Sequence, residues 1–150
     1  QLNYNNITLK ILLFLVFIQI IFGAFVSGLD AGKVYQTWPL MNQSYFPDDA
    51  SLGNLFNLSQ PSIVQFFHRN IAYLIFFLSI GVGFNIFIKK KAFLYRIFLF
   101  FFLTIITQVI LGISVLITGV NLYLASMHQI STIFLIVAAI NLYYRSIRYY

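Results

Sequence analysis

Two histidines, His68 and His128, are the whole imidazole complement of a chain of 150 residues, and both stand inside long apolar runs. An ionisable side chain is costly in apolar surroundings and is usually retained there for a task. Imidazole is the usual nitrogen ligand of a haem iron, and two imidazoles on facing helices can clamp a porphyrin inside a bundle. The bland alternative is that each ring only hydrogen-bonds near a membrane interface. Zinc or copper fits less well, because Asp48 and Asp49 lie in a distant loop and nothing else offers a third ligand. The chain has no cysteine, which excludes disulfides, thiolate metal sites, cysteine nucleophiles and a covalently attached c-type haem.

Other polar residues share the apolar runs. Arg69 follows His68 directly, and its planar fork is suited either to a haem propionate or to snorkelling into water. Adjacent helical positions diverge by about 100°, so only the length of the arginine makes the first option possible. Gln65, Gln108 and Gln129 favour interhelical hydrogen bonds. Gly23, Gly28 and Gly32 permit close approach of a helix or of a flat macrocycle, with helix packing the commoner use. The segment from Tyr35 to Pro47, which holds Trp38, reads as an aromatic anchor along the membrane surface, or as a lid over a cofactor.

The elements that must position these residues follow from composition. With 61% hydrophobic and 8% charged residues, the chain needs a bilayer as its solvent. The expected fold is an all-α integral membrane bundle of four transmembrane helices with one exoplasmic loop carrying a surface helix. The spans are expected near 8–28, 62–88, 93–117 and 122–143, with the loop at 29–61, all in one domain. Residues 97–144 carry no formal charge and would extend roughly 70 Å as one helix, more than twice a hydrocarbon layer of about 30 Å. The run must therefore turn back, and Thr118, Gly119, Val120 and Asn121 are the best break. His68 and His128 then lie about six residues inside helices that enter from the same side, at matching depth. Gln1 in place of methionine, with no cleavable leader pattern, predicts a piece of a longer protein.

The net charge of +6 does not indicate nucleic acid, because the basic residues cluster beside apolar spans. Lys10, Lys89 to Lys91 with Arg96, and Arg145 with Arg148 all fall on one side, which the positive-inside bias makes cytoplasmic, together with both termini. The loop, with Asp30, Asp48, Asp49 and only Lys33, is then exoplasmic. An AT-rich residue usage points to a bacterial source and hence to the inner (cell) membrane.

Several stretches taken together resemble haem A synthase, specifically the C-terminal four-helix half of the alphaproteobacterial and mitochondrial type. They are Gly23-Ala24-Phe25-Val26-Ser27-Gly28-Leu29-Asp30-Ala31-Gly32, Val34-Tyr35 with Trp38-Pro39 and Met41, Asn54-Leu55-Phe56, Val64-Gln65-Phe66-Phe67-His68-Arg69, Thr107-Gln108-Val109 with Leu111-Gly112-Ile113-Ser114, and His128-Gln129. The resemblance implies an oxidoreductase that converts a ring methyl of haem O to the formyl of haem A for cytochrome oxidase maturation, with electrons passing through haem b. It implies that His68 and His128 are the axial ligands of the haem iron in this half, and that Arg69, Gln65 and Gln129 belong to the cofactor site. Where the family's other half has a glutamate, this chain has Gln65, whose amide exchanges no proton. The expected role here is therefore the cofactor and electron transfer, with no catalytic residue assigned. Implied partners are membrane lipid, haem, the N-terminal half of the same protein, haem O synthase and cytochrome oxidase assembly factors. Asn42 and Gln36 depart from the family's usual glycine and asparagine, and the loop cysteines of some bacterial members are absent. The competing readings are a self-sufficient membrane b-type cytochrome exchanging electrons with a quinone, and an assembly or transport subunit whose histidines only cross-link helices.

Overall fold

The computed structural model describes residues 4–148, and the side chains of all of these except 4–6 and 52. Four long helices account for most of them: α1 (Tyr4–Gly28), α2 (Pro61–Ile88), α3 (Ala92–Ile117) and α4 (Leu122–Arg148). Each contains an apolar stretch long enough to cross a membrane, so the chain is a multi-pass membrane protein. No strand lies among the described residues.

Local sequence explains where the helices begin and end. Pro61 opens α2, where its missing N–H costs nothing and its fixed φ suits a first helical residue. At the turn from α3 to α4, Gly119 and Val120 both adopt positive φ. Asn121 then caps α4 by accepting hydrogen bonds from the backbone N–H of Tyr123 (3.0 Å) and Leu124 (3.3 Å). Lysines 89–91 join α2 to α3, with Lys90 also at positive φ.

The helices form a square in which α1 and α3 each pack against α2 and α4, while the backbones of the diagonal pairs stay apart. The apolar core fills only the half nearer the lysines. It is built from Leu9, Leu12 and Val16 of α1, Ile75, Val82 and Ile86 of α2, Phe98, Phe101 and Ile105 of α3, and Leu135 and Leu142 of α4. Close fit matters here because lipid tails are as apolar as the side chains, so dispersion and packing hold the helices together. Phe98 stacks on Phe102, which stacks on Phe76, and a Cβ at Gly83 would stand 2.4 Å from the Phe98 ring. The other half, at the loop end, carries the histidines and glutamines in place of that core.

Helical structure in the loop is limited to two single 3-10 turns, Ala31–Lys33 and Leu52–Asn54. The segment from Tyr35 to Pro47, expected as a surface anchor, is a series of turns tied down by hydrogen bonds, with buried Tyr35, Met41 and Pro47 facing inward. Trp38 stays exposed.

Candidate functional site

His68 and His128 stand about two turns inside α2 and α4, on the two diagonal helices. Each ring rests on a glycine of the helix before it. A Cβ at Gly23 of α1 would stand 3.3 Å from Cε1 of His68, and a Cβ at Gly112 of α3 would stand 3.3 Å from Cε1 of His128. The two glycines are also at equal depth, Gly23 five residues before Gly28 and Gly112 five before Ile117.

A glutamine one turn below each glycine completes the pattern. The Gln19 amide Nε2 lies 3.3 Å from Nε2 of His68. Gln108 donates to the backbone carbonyl of His128 (3.1 Å) and to Ser131 Oγ (2.5 Å), so α3 is bonded to α4 beside the imidazole. The paired stretches Gln19-Ile20-Ile21-Phe22-Gly23 and Gln108-Val109-Ile110-Leu111-Gly112 therefore form an internal repeat, one copy per hairpin. Sequence reasoning singled out Gln108 and Gly23 separately and gave Gln19 no role; the shared Gln-x-x-x-Gly spacing was the signal that links them.

The remaining expected site residues go elsewhere. Gln65 is buried and donates to the Tyr35 carbonyl of the loop (2.8 Å), and Arg69 donates to the carbonyls of Tyr35 (2.9 Å), Thr37 (3.0 Å) and Leu40 (3.3 Å). Gln129 of α4 is exposed. The step of about 100° between neighbouring helical positions separates its direction from that of His128.

Two observations test whether the pair suits a haem. Nδ1 of both histidines is buried without a hydrogen-bond partner, as is Oε1 of Gln19, so polar atoms at this level are left with unmet demand. The two glycine cradles admit the rings without crowding. The donor set, two neutral-capable imidazoles and no carboxylate in the spans, suits a porphyrin iron by its chemistry, and the residues fit the group. Among the described residues no three metal-ligating side chains gather.

Outside the spans, Tyr35 organises the loop. Its hydroxyl donates to Asp49 Oδ1 (2.7 Å) and accepts from the N–H of Asp48 (3.0 Å). Burial, helped by the bond to Asp49, raises the Tyr35 hydroxyl pKa. Burial acts on the Asp49 carboxyl in the opposite sense to its bonds from Tyr35 and Gln60, and those bonds win, holding it below the usual carboxylate range.

The family model for cytochrome oxidase assembly protein, COX15-CtaA, matches residues 4–140. The chain belongs to this family. It is 45% identical over 131 residues to a protein named heme A synthase from Pelagibacter ubique, covering 85% of this chain and 38% of that relative. It is 37% identical to the heme A synthase of Maricaulis maris, covering 86% of this chain and 39% of the relative, and 35% identical to that of Rickettsia prowazekii, covering 81% and 37%. The chain thus spans less than two fifths of these relatives. No solved structure matches it significantly.

Proposed function

We propose that this chain is the C-terminal, haem-binding half of a haem A synthase, an oxidoreductase that converts a ring methyl of haem O to the formyl of haem A for cytochrome oxidase maturation. The observation that carries the reading is the pair of diagonal imidazoles, each cradled by a glycine at the same depth. The family membership and the names of the relatives support a role in haem A synthesis. By the positive-inside rule the lysine end is cytoplasmic and the loop end exoplasmic, in a bacterial inner membrane.

His68 and His128 would hold haem b by its iron, and when bound the group supplies one-electron redox chemistry. The chain's own part is to position and shield. Gly23 and Gly112 set how far each ring swings toward its neighbouring helix, and the packed phenylalanines below keep water from the lysine side. The Gln19 amide stands 3.3 Å from Nε2 of His68 and leaves Nδ1 without a partner. Gln65 stands where a carboxyl would be needed to move protons, and its amide is occupied with the Tyr35 carbonyl. This half therefore offers no acid or base beside the iron, and the methyl oxidation belongs to the rest of the protein.

The test is a reduced-minus-oxidised spectrum of the purified chain after haem loading. A low-spin bis-histidine signal is expected, and it should vanish in both His68→Ala and His128→Ala. Its survival in either variant, with the helices intact by circular dichroism, would overturn the ligand pair.

A further inference from the structure

The guanidinium beside His68 is directed at the loop. Both terminal nitrogens of Arg69 donate to loop carbonyls, at Tyr35, Thr37 and Leu40, and Gln65 one turn earlier donates to the same Tyr35 oxygen. Hydrogen bonds from a charged donor are about twice as strong as neutral ones, and a planar fork can serve several carbonyls from one fixed position. The next turn of α2 adds to the hold: the Phe66 ring packs against Tyr45 and Phe46, and the Tyr45 hydroxyl donates to Asn70.

The same loop also reaches the second hairpin. A Cβ at Gly32 would stand 3.1 Å from the Val120 side chain, and one at Gly119 would stand 3.7 Å from the Gln36 amide oxygen. Val120 and Gly119 form the turn between α3 and α4, so the loop runs from α1 and α2 across to the far side of the bundle, over the end where the histidines lie.

We propose that Arg69 is a positioning residue that, with Gln65, straps this loop across the mouth of the bundle. The helix that presents His68 thus also holds the cover over the pair. The strap itself needs no cofactor; its consequence, slower escape of haem, rests on the site proposed above. A lysine cannot replace Arg69, because a single ammonium on a flexible stem does not reach three divergent carbonyls in one geometry.

Hydrogen–deuterium exchange on the full chain in lipid nanodiscs, without added haem, tests the strap. The amides of Met41, Asn42 and Asp48 report on it, since each is hydrogen-bonded inside the loop. Arg69→Gln is expected to speed their exchange by about tenfold or more, and Arg69→Lys by less, with helix amides of α2 and α4 unchanged. Gln65→Leu removes the neutral bond to Tyr35 and is expected to give a smaller rise in the same amides. Unchanged loop exchange in Arg69→Gln would overturn the proposal. A second arm measures haem transfer from the loaded chain to apomyoglobin, expected to quicken in the order of the exchange effects. If haem binding is lost in Arg69→Gln while loop protection stays intact, the guanidinium serves the cofactor and the strap is wrong. If wild-type chain binds no haem, the site reading fails and the exchange arm still decides the strap.

Discussion

The two hairpins of the bundle begin from the same plan and differ at their loop ends. In α1–α2 and in α3–α4 alike, a Gln-x-x-x-Gly stretch on the first helix faces a histidine on the second. The first hairpin is then joined by residues 29–60, the second by the four-residue turn 118–121. The residue after each histidine follows that difference. Arg69 has a loop to hold and bends back to it, while Gln129 has only a tight turn nearby and remains exposed. Similar cradles thus sit under unequal covers, a long loop bonded to α2 over the first and a short turn over the second.

The largest expected effect comes from filling the cradles. Gly23→Val or Gly112→Val places a branched side chain against an imidazole that would stand 3.3 Å from the new Cβ, an overpacking cost of about 1–3 kcal/mol at each site. Loss of the low-spin haem spectrum should be similar in the two variants. A loss confined to one of them would show that the hairpins do not share the work. Next, Gln108→Ala removes two interhelical bonds beside His128 and should destabilise the chain by about 1 kcal/mol in denaturant titrations, while Gln19→Ala, which loses a single longer contact, should cost less.

Acidity should distinguish the covers. The Asp49 carboxyl has a lowered pKa in the folded loop, so its contribution is complete above the ordinary value near 3.8 and is lost as pH falls through the lowered one. The Tyr35 hydroxyl has a raised pKa, so its share is complete below its ordinary value of 10.0 and is lost as pH rises through the raised one. Limited proteolysis should therefore find the loop protected between these limits and opening in acid, with the α3–α4 turn unaffected. Tyr35→Phe should weaken the acid dependence. The smallest effect is expected at the Asp30–Lys33 ion pair, 2.8 Å apart but exposed. Lys33→Ala should leave loop protection unchanged, since such pairs contribute about 0–1 kcal/mol.

Much of this architecture was legible because membranes impose coarse rules. An uncharged run too long for one crossing had to fold back, and Gly119 with Asn121 offered the place. The matched depth of the histidines followed from counting residues from the helix starts. The direction of Arg69 was not legible: its long side chain reaches water, a cofactor or a loop from one Cα, and only the folded path of residues 35–40 supplies the three carbonyls. The loop has no periodicity to read, since its shape depends on a buried tyrosine meeting a carboxylate fourteen residues away. Gly23 and Gly112 were ambiguous one at a time, because a small residue on a helix serves close packing as readily as a ligand cradle.

The phenylalanine-rich floor beneath the histidines also constrains proton traffic. All three acidic residues of the chain lie in the loop, and no imidazole lies below the pair. A proton arriving at or leaving the site thus has no carboxylate or histidine relay toward the lysines.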